Sequence, residues 1–474
     1  MRSQSSHSQG ACKRCGKACS DCAKKDRRIA KLQGENDELR KKLSEAQQAE
    51  KRQAAPFSKG DPKRKPKKPG RKPGKRYGRR GFRPTPQHVD QTIDVPVEQC
   101  FCEDCGDELV GDTIYTQYQT DIPPVKPRVT KYSIHRKRCK NCKKWVQGRH
   151  PEQTSDALGA ASNQIGPNAI SLGIQLNKTT GASYGKISRF LDDFFGLTVH
   201  RSTILRALLR AAEKAEPLYG EIKIIVRHSR VIYPDESGWK VGGLRQWLWA
   251  FVALTEKATL YMIEPSRGFD VIEDALGADY SGLLGRDGWA PYDRLEQATH
   301  GMCNAHLIRR AAWLEEIARG GAVRFPRDLK ALLQSGLDLR DLRDQRRLTR
   351  RQVLSRAAKL EWRLDELITK RFTNDENRKL AGHLIDHRQS IFSYLYHPEL
   401  EATNWPAEQA IRPAVVNRKM SGGGNRTSAG ARAQAVLTSV LRTAWQRSLD
   451  VHTLLVDLLR SPDPQKYAAM ALGP

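Results

Sequence analysis

The sequence lacks any long hydrophobic run. Across its 474 residues we find no stretch of about 18 consecutive apolar residues, the length that a membrane-spanning helix needs. The first ten residues, MRSQSSHSQG, contain no apolar core of a signal peptide. Acidic residues are also in deficit, since 53 Asp and Glu oppose 82 Lys and Arg, for a formal net charge of +29. We therefore expect a cytoplasmic, nucleoid-associated protein of several domains that attracts nucleic acid.

The basic excess is concentrated between residues 59 and 83, KGDPKRKPKKPGRKPGKRYGRRGFR, which hold 13 basic residues and one acidic residue. Repeated proline and glycine predict an extended linker rather than a packed domain. Within it, GRKP resembles the minor-groove hook of chromatin proteins. Arg71 and Lys72 would then follow the narrow groove of A/T-rich DNA, or simply contact phosphates.

Nine of the ten cysteines lie within residues 12–22 and 100–142. In a reducing compartment such clusters indicate metal ligands rather than disulfides. The first cluster places four thiols within eleven residues and either holds one zinc ion or holds none. Its members are Cys12, Cys15, Cys19 and Cys22.

The second cluster contains two Cys-x-x-Cys pairs, separated by the alternating segment 129–134, which predicts a strand. Two such pairs joined by strand-like sequence predict a zinc ribbon with four thiolate ligands. Cys100 is left over, or replaces Cys102 as a ligand. The predicted zinc ligands are Cys102, Cys105, Cys139 and Cys142.

A heptad pattern follows the first cysteine cluster and predicts a short coiled coil. A polar residue at one a position, Asn36, favours two parallel strands in register. The alternative is a single solvated helix, because a helix of this length is marginal by itself. The a and d positions hold Ile29, Leu32, Asn36, Leu39, Leu43 and Ala46.

Residues 165–213 predict helices, and their second half predicts a helix, a turn at Gly196 and another helix. Ser202 or Thr203 would cap the second helix. The motif is either a DNA-reading helix-turn-helix or a pair of packing helices. The side chains expected to face outward towards DNA are Arg201 and Arg206.

From residue 230 onward, three strands, a helix and a fourth strand follow one another. This order is that of a ribonuclease H-like mixed sheet and predicts an α/β core. It would place Asp235 and Asp287 at strand ends on adjacent strands. The predicted strands cover 230–233, which runs into 234–237, then 247–254, 259–263 and 282–284, which ends at 286–288; the helix covers about 268–276.

A third acidic residue, Glu408, falls in the first turn of a helix if that helix starts near Pro406, where the helix dipole favours its charge. Three converging carboxylates suit two magnesium or manganese ions about 3.5–4 Å apart. The chemistry indicated is in-line phosphoryl transfer on DNA. Spacing alone carries little weight among 53 acidic residues, so the flanking sequence decides.

The flanks resemble the insertion-sequence-66 family of bacterial DDE transposases. The stretches that carry the resemblance are DESGWKVGGLRQWLWAF, RDGWAPYDRLEQATHGMCNAHLIRR and TNWPAEQAIRPAVVNRKMSGGGNRTSAGARAQAVLTSVLRTA. With the PFSKG and KKPGRKPG segments and the cysteine pairs, it extends from about residue 56 to 460. The resemblance implies an enzyme that cleaves and joins the ends of an insertion sequence.

The resemblance makes Asp235, Asp287 and Glu408 the first, second and third metal ligands. It also implies binding to terminal inverted repeats and target DNA, a homodimer or higher oligomer, and companion proteins encoded by the same element. Residues expected to contact DNA phosphates or support the active site are Asn404, Arg412, Arg418 and Lys419. Departures from the family pattern, none of which removes a carboxylate, are Ser237, Trp405 and Gln409.

A Cys-x-x-His pair, Cys303 and His306, follows the second aspartate. No further ligands are evident in the sequence, so we expect a structural role on the fifth strand and its helix. The long separation between Asp287 and Glu408 predicts a helical insertion over 326–400, whose arginines between 340 and 351 could hold the transposon end.

The sequence thus divides into seven segments. Two other functions share parts of the pattern: a catalytically silent DNA-binding regulator, and a ribonuclease H-like nuclease without strand transfer. The segments are 1–52 (cysteine cluster and coiled coil), 53–84 (basic arm), 85–150 (zinc ribbon), 151–225 (helix-turn-helix-like domain), 226–325 (first part of the catalytic core), 326–400 (helical insertion) and 401–474 (helix with Glu408 and C-terminal helices).

Overall fold

A computed structural model describes residues 27–36, 83–111, 113–420 and 423–472. The chain forms two compact units, Met1–Tyr118 and Gln119–Pro474. In the first unit, residues 27–36 form helix α1, with Ile29 and Leu32 exposed. Predicted functional residues outside the described ranges are Cys12, Cys15, Cys19, Cys22, Leu39, Leu43, Ala46, Arg71 and Lys72.

The second unit begins with a small hairpin of strands β1 (Arg136–Arg138) and β2 (Trp145–Gln147), which pair antiparallel. The prediction of a strand over 129–134 is wrong, because that segment pairs with no other strand. Strand pairing occurs instead on either side of Cys139 and Cys142, where the intervening turn brings the two flanks together.

A group of helices follows, and its helix-turn-helix pattern agrees with the sequence. Gly196 ends α3 in the left-handed conformation, φ 65°, which glycine adopts without steric cost. The predicted cap is wrong: α4 begins at Arg201, and His200 accepts the backbone N–H of Ser202. The helices are α2 (Pro167–Thr180), α3 (Tyr184–Phe195), α4 (Arg201–Lys214) and α5 (Glu216–His228).

A five-stranded sheet with the order β5-β4-β3-β6-β7 forms the centre of this unit. β3, β4 and β5 are antiparallel neighbours, whereas β6 runs parallel to β3, and β7 runs parallel to β6. The predicted succession of strands and helix is confirmed. The elements are β3 (Val231–Val241), β4 (Leu244–Ala253), β5 (Ala258–Glu264), α6 (Phe269–Leu276), β6 (Leu283–Arg286) and β7 (Thr299–Met302).

Helices cover both faces of the sheet, which explains its nearly continuous apolar runs such as LWAFVA. Because strand side chains alternate, Trp249 and Phe251 join the core shared with α2–α5. Leu248 and Ala250 join the opposite core, which includes the later helices.

The later helices include the predicted insertion, α8 to α11, and the helix that carries Glu408, α12. None of the helices in the described part of the chain has the length and apolarity needed to cross a membrane. The elements are α7 (Asn304–Ile317), α8 (Arg324–Asp344), α9 (Arg350–Ile368), α10 (Asp375–Asp386), α11 (Ser393–Tyr396), α12 (Trp405–Met420), α13 (Ser428–Gln446), α14 (Val451–Arg460) and α15 (Pro464–Leu472).

The prediction that both aspartates lie at strand ends is right for Asp287 and wrong for Asp235. Asp287 directly follows β6. Asp235 lies inside β3, where it pairs with Ala250, because the antiparallel hairpin with β4 continues to the Val241–Leu244 pair. The hairpin partner, rather than the shorter parallel partner, determines the length of β3.

Candidate active site

The two predicted aspartates lie side by side on adjacent parallel segments. β3 and β6 pair Val231 with Leu283 and Ile232 with Leu284. Continued by three residues, this register would set Asp235 opposite Asp287, on the same face of the sheet. The two carboxylates are close enough for the charge of Asp287 to raise the pKa of Asp235. The strand pairing therefore brings together two acids that are 52 residues apart in the sequence.

Backbone N–H groups hold one oxygen of each carboxylate. Oδ1 of Asp235 accepts the N–H of Glu236 at 2.9 Å, and Oδ1 of Asp287 accepts the N–H of Trp289 at 3.0 Å. The second oxygen of each has no hydrogen-bond donor among the described residues. Two carboxylate oxygens thus remain available to a cation.

Asn404 connects the start of α12 to β3. The side-chain amide of Asn404 donates to the backbone carbonyl of Pro234 at 2.8 Å. The backbone carbonyl of Asn404 accepts the N–H of Glu408 at 3.1 Å. Its N–H donates to the sulfur of Cys303 at 3.1 Å. Asn404 is buried, so it supports the site and does not present its side chain to a DNA phosphate.

Electrostatic repulsion is concentrated at Asp235. Burial, followed by the neighbouring charges of Glu236, Asp287 and Glu408, raises the pKa of Asp235 to about 7. Carboxylates that repel one another in a low-dielectric site favour a cation, because its charge removes the repulsion. This shift supports the metal-binding expectation for the aspartate pair.

A fourth carboxylate, Glu236, is beside the site but already has partners. Its side chain is 2% exposed, and its Oε1 accepts bonds from Nε and Nη2 of Arg267 at 2.9 and 2.6 Å. Tyr292 donates to its Oε2 at 2.9 Å. Burial raises the pKa of Glu236, and the Arg267 bond opposes this. Glu236 is therefore occupied with a buried ion pair.

Arg267 is itself held between two indole rings. Its guanidinium carbon lies 3.7 Å from the ring centre of Trp289 and 4.6 Å from that of Trp247. The indole N–H of Trp289 also donates to the Arg267 carbonyl at 3.2 Å. Sequence reasoning missed this cluster, since Arg267 is in a loop with no motif; the adjacent Asp-Glu pair was the only available signal.

Glu408 lies in the first turn of α12, as predicted. Its Oε1 is 3.7 Å from Nε2 of His306 and 3.8 Å from Nη2 of Arg309. Within the described ranges, one group of three metal-ligating side chains has all its ligand atoms within 4.8 Å of one another, and it consists of Cys303, His306 and Glu408. The carboxylate oxygens of Asp235, Asp287 and Glu408 do not all lie within that distance of one another.

The cysteine and histidine of this group influence each other. The Cys303 thiol beside it raises the pKa of His306. Burial alone would raise the pKa of Cys303, but contact with His306 and the N–H of Asn404 lower it below its ordinary value. Cys303 joins β7 to α7 at the position expected from the sequence, yet its partner Glu408 is more than a hundred residues away.

The other predicted DNA contacts occupy varied positions. Arg201 and Arg206 are exposed on α4, and Arg412 is exposed on α12. Arg418 and Lys419 are half-buried near the end of α12, with Arg418 5.8 Å from the ring centre of Trp239. The exposed arginines can therefore reach a polyanion without any rearrangement of the fold.

A family model of transposases, the IS66 family, matches residues 164–433. The chain belongs to the IS66 family of transposases. The matched region extends from the residues just before α2 into α13 and includes Asp235, Asp287 and Glu408. No curated protein gives a significant match to the chain. Family membership makes this chain a DNA-processing enzyme, and divalent metals are general cofactors of such transposases.

The IS66 family match does not include the paired cysteines, which form two equivalent turns. In the unit Met1–Tyr118, the carbonyl of Cys102 accepts the N–H of Gly106 at 2.8 Å. In the unit Gln119–Pro474, the carbonyl of Cys139 accepts the N–H of Lys143 at 3.1 Å. The backbone N–H of Cys105 is the main group that lowers the pKa of Cys102, and the backbone N–H of Cys142 is the main group that lowers the pKa of Cys139. Both turns thus favour the thiolate form that zinc requires.

Proposed function

We propose that this chain is the transposase of a bacterial insertion sequence, which cleaves the terminal inverted repeats and joins them to target DNA. Asp235, Asp287 and Glu408 would bind two magnesium or manganese ions. The observation that carries the proposal is the parallel pairing of β3 with β6, the strands that lead to Asp235 and Asp287, together with the bond from Asn404 that ties the helix of Glu408 to β3. Metal-dependent phosphoryl transfer needs such convergent carboxylates.

The strand order supports a ribonuclease H-like core. Three antiparallel strands are followed by a helix and then by strands parallel to the first, in the order β5-β4-β3-β6-β7. Strands β3 and β6 lie next to each other; β3 contains Asp235, and Asp287 directly follows β6. The fold proposal therefore rests on the same pairing as the active-site proposal.

Two divalent ions, when bound, would activate a water or 3′-hydroxyl and stabilise the leaving oxygen. Asp235 and Asp287 would each offer the oxygen that has no backbone donor. Glu408 would supply the third carboxylate from α12. Arg267 would keep the charge of Glu236 balanced, so that the ions meet a defined set of ligands.

DNA would be held by basic side chains outside the carboxylate cluster. Exposed Arg201 and Arg206 on α4 support a helix-turn-helix role, and exposed Arg412 lies one turn beyond Glu408. Arg418 and Lys419 would assist near the end of that helix. Arg71 and Lys72 would add contacts from the basic arm.

A zinc ion bound by Cys102, Cys105, Cys139 and Cys142 would form the proposed ribbon, and the equivalent turns at Cys102 and Cys139 support it. Exposed Ile29 and Leu32 on α1 support dimerisation through a coiled coil, because their burial would remove apolar surface from water. A second zinc site at residues 12–22 and companion proteins from the element remain hypotheses from the sequence.

The test is a strand-transfer assay with labelled element ends and target DNA. Asp235→Ala, Asp287→Ala and Glu408→Ala should each abolish cleavage and joining yet bind end DNA as the wild type does, since positioning contacts lie elsewhere. The control is Glu273→Ala, which removes an exposed carboxylate from α6. Wild-type joining by any of the three variants would refute the site. Binding without any cleavage by the wild type would indicate a regulator, and cleavage without joining a nuclease.

A further inference from the structure

Cys303, His306 and Glu408 form a compact group that the proposed magnesium site does not explain. Cys303 stands between β7 and α7, His306 is in the first turn of α7, and Glu408 is in the first turn of α12. A sulfur, an imidazole and a carboxylate are the donor types that zinc prefers in proteins. All three ligand atoms lie within 4.8 Å of one another.

The separation between His306 and Glu408 fits metal ligands better than a hydrogen-bonded pair. Nε2 of His306 and Oε1 of Glu408 are 3.7 Å apart, which is too long for a hydrogen bond. Two ligands bound at ordinary zinc distances in a tetrahedron lie about 3.4 Å apart. Nδ1 of His306 is also buried without a hydrogen-bond partner among the described residues. This ring nitrogen is therefore a buried polar atom whose bonding capacity the described residues leave unused.

The backbone holds the sulfur in place. Cys303 donates its N–H to the carbonyl of Arg286 at 2.9 Å and is 1% exposed. The N–H of Asn404 donates to its sulfur at 3.1 Å, an arrangement that stabilises thiolate over thiol. Because Asn404 also accepts the N–H of Glu408, one residue orients two of the three ligands.

One side of the group is open to solvent. The side chains of His306 and Glu408 are 39% and 41% exposed. A metal bound here would have three protein ligands and a free fourth position for water, the pattern of open zinc sites rather than of closed structural ones. Arg309, 3.8 Å from Glu408, would oppose a cation through its positive charge.

We propose that Cys303, His306 and Glu408 form a binding site for a thiophilic divalent ion such as Zn²⁺, and that this site shares Glu408 with the magnesium site. A magnesium ion does not bind thiolates, so the two ions would compete for a single carboxylate. Zinc bound here would withdraw Glu408 from Asp235 and Asp287 and inhibit the reaction. Binding stands independently of the proposed function, whereas inhibition rests on it.

The binding test titrates the full-length chain with Co²⁺, whose thiolate charge-transfer absorption reports sulfur ligation. After subtraction of the signal from the other cysteines, measured in Cys303→Ser, the wild type should show one additional thiolate-ligated site. His306→Gln and Glu408→Gln should weaken that site at least about tenfold, since even outer-shell changes weaken metal binding by about that factor. Arg309→Gln should strengthen it, because a repelling charge is removed. His228→Gln, on an exposed helical histidine, is the matched control.

Equal Co²⁺ spectra for the wild type and Cys303→Ser would overturn the proposal. Circular dichroism verifies that each variant is folded; if Cys303→Ser is not, His306→Gln and Arg309→Gln still test the site, because their opposite effects would not follow from a general loss of structure. Joining is then measured in constant Mg²⁺ with rising Zn²⁺, relative to each variant's own zinc-free activity. Zinc should inhibit the wild type at a lower concentration than it inhibits Cys303→Ser. Cobalt binding without joining activity would contradict the proposed function but not the metal site. Zinc binding without inhibition would overturn the proposal that the two sites share Glu408.

Discussion

Replacing Arg267 with alanine should destabilise the protein and alter its pH dependence. The change leaves Glu236, 2% exposed, without its ionic partner. Breaking a buried ion pair typically costs about 3–5 kcal/mol. Arg267 is 33% exposed and Tyr292 still donates to Glu236, so we expect about 2–3 kcal/mol, including the lost contacts with two indole rings.

The assay is chemical denaturation followed by tryptophan fluorescence, with Arg245→Ala as the control. Arg245 stacks on Trp247 at 4.7 Å but is exposed, and its loss should cost no more than about 1 kcal/mol. A double-mutant cycle identifies the cause: in a Glu236→Gln background, Arg267→Ala should cost far less, because no buried charge remains. Equal losses in both backgrounds would refute the assigned role of the ion pair.

The variants Glu236→Gln and Arg267→Ala should also shift the pH dependence of joining, in opposite directions. Metal binding needs ionised Asp235, whose pKa is about 7 in the metal-free site, so joining should rise with pH through that region. Glu236→Gln removes a repelling charge and should shift the rising limb to lower pH. Arg267→Ala leaves that charge unbalanced and should shift the limb to higher pH. Shifts in the same direction would contradict the electrostatic account.

Three further predictions concern other parts of the chain. Asp235→Asn should abolish joining yet stabilise the metal-free protein by about 1–3 kcal/mol at pH 8. The pKa of Asp235 is raised from 3.8 to about 7 in the folded protein. Ionisation of Asp235 therefore destabilises the fold as the pH rises through that range, and asparagine cannot ionise. Thermal melting at pH 4 and pH 8 measures this, and a gain as large at pH 4 would refute it. Cys139→Ser in the full chain should lower the zinc content and unfold the ribbon, as metal analysis and limited proteolysis would detect, whereas Cys100→Ser should not. Removing residues 1–84 should weaken DNA binding, flatten its salt dependence by about 0.9 in log–log slope for each lost phosphate contact, and reduce self-association; an unchanged slope and oligomeric size would contradict both N-terminal roles.

Much of the fold could be predicted from local patterns. Alternating and continuous apolar runs indicated β4, β5 and β6, and helical periodicity indicated the insertion. The position of Glu408 in a first turn followed from the Trp405-Pro406 helix start, because proline at the beginning of a helix is a local signal. The adjacency of the two aspartates followed from the order of strands, which a sheet converts into neighbours.

Other features depended on contacts that no local pattern encodes. The length of β3 beyond Asp235 was decided by pairing with β4, and the capping of α4 by His200 depended on where the helix began. Strand 129–134 had the alternation of a strand but no partner, and an unpaired segment cannot form a sheet.

The sequence by itself determined which reactive and charged side chains the chain contains: the carboxylates, the paired cysteines and the basic residues. Only the tertiary structure decided which of them meet. Arg267 reaches Glu236 from a loop 31 residues away, and Cys303 and His306 meet Glu408 across about a hundred residues. Such contacts between side chains distant in the sequence depend on how helices pack against the two faces of the sheet. The periodicity of a segment specifies which of its faces is buried, but not which distant side chain that face will contact.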